Sequence, residues 1–195
     1  MKFQPPKIFQ KLQYNAPVIL TFSLAAIGIH LISSFIPGFT GHFFVIGPTM
    51  SVTNPLDYVR LASHTLGHAS WGHLFGNLTY ILLLGPLLEE KYGSRPLLWM
   101  MAATAVATGL INVLFFPTGL MGASSIVFML IILASIVNVG RGAVPLTFVL
   151  VTCIFLGSEV LNIFRPDNVS QMAHIAGGAL GAGFGFFWTR TLGQH

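Results

Sequence analysis

Six apolar windows dominate this 195-residue chain, at about 16–35, 71–88, 96–115, 124–139, 144–161 and 172–188. The one charge inside them is Glu159, near the end of the fifth. A helix needs about 20 apolar residues to cross the ~30 Å hydrocarbon layer of a bilayer. Only 7% of the residues are charged, against about 25% in a soluble domain. These features exclude a soluble enzyme built on one buried core. A membrane barrel is also a poor fit, because its strands alternate apolar and polar residues. The expected fold is all-α, a bundle of six transmembrane helices.

The first window follows a 15-residue stretch that carries Lys2, Lys7 and Lys11. It is longer than the apolar core of a signal peptide, and no small-residue cleavage site clearly follows it, so it reads as a retained helix. The expected organisation is a short cytoplasmic tail over 1–15, one membrane domain over 16–189 and a second cytoplasmic tail over 190–195. A single cysteine, Cys153, offers neither an internal disulfide nor a Cys-based metal site.

The net charge of +4 lies in the connecting segments. It bears on topology rather than on nucleic acid. With the amino terminus in the cytoplasm, Lys2, Lys7, Lys11, Lys91, Arg95, Arg141 and Arg190 fall inside and Arg60 and Arg165 outside. This asymmetry places both termini in the cytoplasm. The second, fourth and sixth spans then run inward from the outer face. Residues 36–70 are too apolar for a simple aqueous loop and are expected to pack on the bundle at the outer interface. Residues 116–123, with Pro117, Gly119 and Gly122, are expected to dip into the protein before the fourth span. Irregular backbone at membrane depth survives only beside protein or a wet cavity.

Polar side chains in the spans need a reason. Ser124 opens the fourth span, and a serine becomes a nucleophile when a base takes its proton. Serine also suits a plain helix cap. His174, in the first turn of the sixth span, supplies an imidazole, a side chain suited to act as such a base. Gly177 and Gly181 continue the His174 face as a small-residue stripe on which another helix can approach closely. A fourth span packed there would bring Ser124 to His174. His73 and Asn77 share a face of the second span, four residues apart. They could donate hydrogen bonds to an oxyanion, with the Ser124 backbone N–H as a third donor. His64, His68 and His73 could instead form a metal set, but neither a carboxylate nor the His-Glu-x-x-His pattern accompanies them. For His68, a structural hydrogen bond is the plainer reading. Asp57, Glu89, Glu90, Glu159 and Asp167 all avoid mid-span positions, so a Ser-His dyad is expected rather than a triad or a paired-carboxylate site.

These residues carry a resemblance. His68, His73 and Asn77 match a His-x4-His-x3-Asn motif, and Gly122-Ala123-Ser124 a Gly-x-Ser motif. Ala173, His174, Gly177 and Gly181 match Ala-His-x2-Gly-x3-Gly. Arg60 with His64, and Glu89 with Gly93-Ser94, fit two flanking patterns. In this order, on these spans, the chain resembles the rhomboid intramembrane serine proteases in their compact six-helix bacterial form. The resemblance implies a plasma-membrane endopeptidase with a Ser124–His174 dyad and an oxyanion hole from His73, Asn77 and the Ser124 N–H. It implies no metal or cofactor. The implied substrates are transmembrane proteins cut near their outer ends, at a small residue beside helix-destabilising ones. The fifth span and the loop before the sixth would gate and cap the site. Implied partners are these substrates and the lipid bilayer, without nucleic acid; oligomeric state is not encoded in the motifs. Three positions depart from the pattern. Ser125 replaces a usual glycine and adds a second candidate hydroxyl. Phe128 replaces tyrosine but keeps a ring for His174, and Val59 replaces tryptophan before Arg60. Two other readings are a catalytically silent relative that binds transmembrane clients and a histidine-ligated metal or haem membrane protein.

Overall fold

The structure, a computed structural model, describes residues 13–136, 144, 146–162 and 171–192. Among the described residues it is all-α, without strands. The helices are α1 (Pro17–Phe35), α2 (Phe39–Phe43), α3 (Pro55–Ser63), α4 (Trp71–Tyr92), α5 (Ser94–Phe115), α6 (Ser124–Ile136), α7 (Leu146–Asn162) and α8 (Gln171–Leu192), with a 3-10 turn at His64–Leu66. Lys2, Lys7, Lys11, Arg141, Arg165, Asp167 and the expected cap before the sixth span lie outside the described residues, as do residues 137–139 of the fourth window.

A helix forms at each of the six apolar windows, but their membrane character is uneven. Only α1 and α5, among the described residues, are both long and apolar enough to cross a bilayer. The reasons are local. Helix α4 has the length but carries His73, Asn77, Glu89, Glu90 and Lys91. The described part of α6 has 13 residues and α7 has 17.

Helix directions follow from which ends meet. His30 near the end of α1 packs on Trp71 at the start of α4, with ring centroids 4.5 Å apart. At the other end, Glu89 of α4 accepts hydrogen bonds from the backbone N–H groups of Val18 and Ile19, both at 3.0 Å. Helix α1 therefore runs antiparallel to α4. Its N-cap residue, Ala16, has no side-chain oxygen to offer, and Pro17 at the first position lacks an N–H. The buried Glu89 carboxylate supplies the cap from across the bundle, where the helix dipole also favours it. Helices α6 and α8 run parallel, because Gly177, Gly181 and Gly185 meet Ser125, Met129 and Ile136 in the same order. A Cβ on Gly177 or Gly181 would collide with the carbonyl oxygen of Ser125 or Met129, so glycine sets this close spacing. The main core lies between these helices, with Met129, Leu130 and Leu133 fully buried beside Ile81, Leu88 and Leu97.

Residues 36–70 pack on the bundle as the sequence indicates. The Arg60 guanidinium donates to the His42 carbonyl and, at 2.7 Å, to Asp57. The Ser51 N–H and then the Arg60 charge hold the Asp57 carboxyl below its ordinary range. Ile46 and Leu120 exchange backbone hydrogen bonds of 3.1 and 2.9 Å. This bridge ties the long segment to residues 116–123, which do enter the protein: Leu120 and Ala123 are buried. The Asn112 amide donates to the Thr118 carbonyl at 2.8 Å, and Gly122 N–H to the His64 carbonyl at 2.9 Å.

Candidate active site

The parallel arrangement of α4, α6 and α8 gathers the chemistry at one end of the bundle. Ser124 is the first residue of α6 and is partly exposed. It lines a cavity of about 650 Å³ together with His73, Asn77, Phe128 and His174. The sequence-derived set is thus brought to one place. Helix α8 delivers His174 because Gly177, one turn later, sits on the Ser125 carbonyl. Helix α6 delivers Ser124 from the same turn.

Phe128 lies one helical turn beyond Ser124. Its ring stacks on the His174 imidazole with centroids 4.4 Å apart and planes 10° from parallel. The aromatic contact is therefore present without a phenolic hydroxyl. Gly122 has a φ of +122°, a backbone conformation that L side chains rarely adopt. A Cβ there would also lie 2.7 Å from His73 Nε2. Glycine at this position thus provides the turn into α6 and the space for the His73 ring.

Helix α4 is started by Ser70, whose hydroxyl accepts from the His73 N–H at 3.2 Å. His73 and Asn77 then project one turn apart into the cavity, followed by Tyr80. Tyr80 belongs to none of the sequence motifs, although its spacing of three from Asn77 puts it on the same face. Met121 of the 116–123 segment also lines the cavity and had no sequence signal.

Ser125 is separated from this chemistry. It does not line the cavity, is 2% exposed, and its hydroxyl accepts a 3.4 Å hydrogen bond from Thr108 of α5. The glycine-to-serine departure points into the core, so Ser125 is set aside as an alternative nucleophile.

The three upstream histidines also diverge. His64 Nε2 donates to the Ala105 carbonyl of α5 at 3.1 Å. His68 Nδ1 lies 3.2 Å from the Leu66 carbonyl, and its Nε2 lies 3.1 Å from the Asn77 amide nitrogen. Among the described residues, no three of His, Cys, Asp and Glu gather as a group that could hold a metal. Burial pushes the imidazoles of His64 and His68 down to about 4, for His68 with help from the nearby His73. Both rings are therefore neutral at pH 7.

Comparison with known proteins agrees with the motif pattern. The Rhomboid domain matches residues 55–191. The chain is also 27% identical, over 188 residues, to "Rhomboid-like protein 11, chloroplastic" of Arabidopsis thaliana. That alignment covers 94% of this chain and 61% of the plant protein, so the chain spans about three-fifths of its relative's length. With its apolar helices α1 and α5 and a matched domain that takes in the residues around the Ser124 cavity, this membrane protein belongs to the rhomboid family.

Proposed function

We propose that this rhomboid family member is an intramembrane serine endopeptidase whose substrates are transmembrane proteins. In this reading the helices at the six apolar windows span a plasma membrane, both termini are cytoplasmic and the cavity opens to the outer side. The observation that carries it is the convergence of Ser124, His174, His73 and Asn77 on one cavity at the end shared by α4, α6 and α8.

His174 takes the Ser124 proton as Oγ attacks the scissile carbonyl carbon. The carbonyl oxygen becomes an oxyanion and is stabilised by donors from His73, Asn77 and the Ser124 backbone N–H. One such donor is worth about 3–4 kcal/mol of barrier. The His174 imidazolium then protonates the leaving amine, the C–N bond breaks, and an acyl-Ser124 ester remains. Water, deprotonated by His174, attacks the ester and restores both side chains. The chemistry needs neither metal nor cofactor. Stacking on Phe128 fixes the plane of the imidazole, which favours one line of proton transfer over many.

The deciding experiment is cleavage of a model transmembrane substrate by purified protein in detergent. Ser124→Ala and His174→Ala should each abolish cleavage while the melting transition is kept. Ser125→Ala should cleave within about threefold of wild type. A fluorophosphonate probe should label Ser124 in wild type and fail to label it in His174→Ala. Unchanged cleavage by Ser124→Ala would refute the assignment of Ser124 as nucleophile, and no cleavage by wild type would leave a binder of transmembrane clients.

A further inference from the structure

The Asn77 amide meets a second buried side chain, that of His68. The two are nine positions apart, on opposite sides of the turn that opens α4. His68 precedes the helix, and Asn77 lies in its second turn. Asn77 is almost wholly buried and His68 more so, at 7% and 2% exposure.

The proton positions follow from the partners. A backbone carbonyl can only accept, so the Leu66 carbonyl requires the proton on His68 Nδ1. The neutral ring then presents a bare lone pair at Nε2. That lone pair faces Asn77 at 3.1 Å. An amide oxygen there would meet lone pair with lone pair, so the group facing His68 is the NH2 and the amide cannot turn over. One N–H is consumed by His68, and the other is held in the amide plane on a side chain that lines the Ser124 cavity.

We propose that His68 is the positioning residue of the oxyanion hole: its Nε2 acceptor fixes which edge of the Asn77 amide serves the reaction. The inference rests on the protease reading above and deepens it. His68 touches no substrate and acts only through Asn77. A freely turning amide would present its oxygen to the developing oxyanion part of the time, which repels rather than stabilises. Preorganisation is what gives such donors their effect.

The test uses replacements that differ at one atom's position. Glutamine can place an acceptor oxygen where Nε2 lies; leucine fills the space with no acceptor. His68→Leu should lower kcat by about 10- to 100-fold with little change in KM. His68→Gln should recover to within about fivefold of wild type. In an Asn77→Ala background, His68→Leu should cost no more than about twofold further, because its route of action is gone. Melting curves of all variants accompany the kinetics. If His68→Leu does not fold, the Gln variant and the Asn77→Ala/His68→Gln pair still decide the matter. Equal kcat for His68→Leu and wild type overturns the inference. So does full additivity with Asn77→Ala, or a His68→Gln enzyme that folds but loses kcat 10-fold or more. In each of these cases an inactive Ser124→Ala control leaves the protease reading intact. An active Ser124→Ala control overturns both.

Discussion

Gly177 of α8 rests directly on the backbone carbonyl of Ser125 in α6, with no room for even a methyl group between them. This contact lies one residue past Ser124 and one turn past His174. The spacing of the two helices at this point therefore sets the separation of the two side chains that the proposed chemistry joins.

Gly177→Ala is expected to be harmful although alanine is the better helix former. Propensity favours alanine by about 0.5–1 kcal/mol. Forcing a methyl group against backbone costs about 1–3 kcal/mol and moves the helices apart. Separation by even ~1 Å can cost ~100-fold in rate. The variant should melt lower and lose at least 10-fold in kcat. Gly183→Ala is the control, since nothing lies within 4 Å of a Cβ there; it should melt at or slightly above the wild-type temperature. Equal melting and rates for Gly177→Ala would show that the contact does not govern the site.

Glu89→Ala should destabilise the protein while leaving the rate per folded molecule nearly intact. The carboxylate accepts two backbone N–H bonds at the start of α1. Hydrogen bonds to a charged group contribute about 1.5–3 kcal/mol each, so a loss of about 3 kcal/mol or more is expected. Hydrogen exchange should accelerate first at Val18 and Ile19. Exchange speeding up uniformly, or not at all, would argue against a capping role.

Acid should weaken the fold through His64 and His68. Their folded values near 4 lie below the ordinary 6.5. Between about pH 6.5 and 4 the unfolded chain therefore holds more protons than the folded one, and stability rises with pH. The contribution is complete above 6.5 and drains away as pH falls toward 4, at up to about 1.4 kcal/mol per pH unit for each ring. Melting temperature should be level from pH 8 to 7 and decline below 6.5. His64→Gln should make that decline shallower. A level profile down to pH 5 would contradict buried neutral rings.

Much of this architecture is readable from the residues. The apolar windows mark six helices within a few positions, because a run without charge has few alternatives. The Gly177–Gly181 stripe announces a close neighbour. Sequence does not say that the neighbour's Ser125 turns toward Thr108 while Ser124 turns to the cavity; adjacent positions on a helix differ by about 100°, and tertiary packing chooses the sense. Glu89 reads as the acid closing α4, but its partners lie 70 and 71 residues earlier, a pairing no local pattern reports. Spacing of three and four links His73, Asn77 and Tyr80 on one face. The His68–Asn77 bond crosses from a turn into a helix, where periodicity has no bearing.

The parallel pairing of α6 and α8 also orders events in time. Neighbours that point the same way cannot be joined by a short turn, so the chain must go back along α7 before α8 can begin. Ser124 therefore waits through the synthesis of that return stroke and of α8's opening turns before His174 joins it at the cavity. In the proposed mechanism, a nascent polypeptide still on the ribosome would carry the Ser124 hydroxyl without the His174 base, and could not yet cut its fellow newly made membrane proteins.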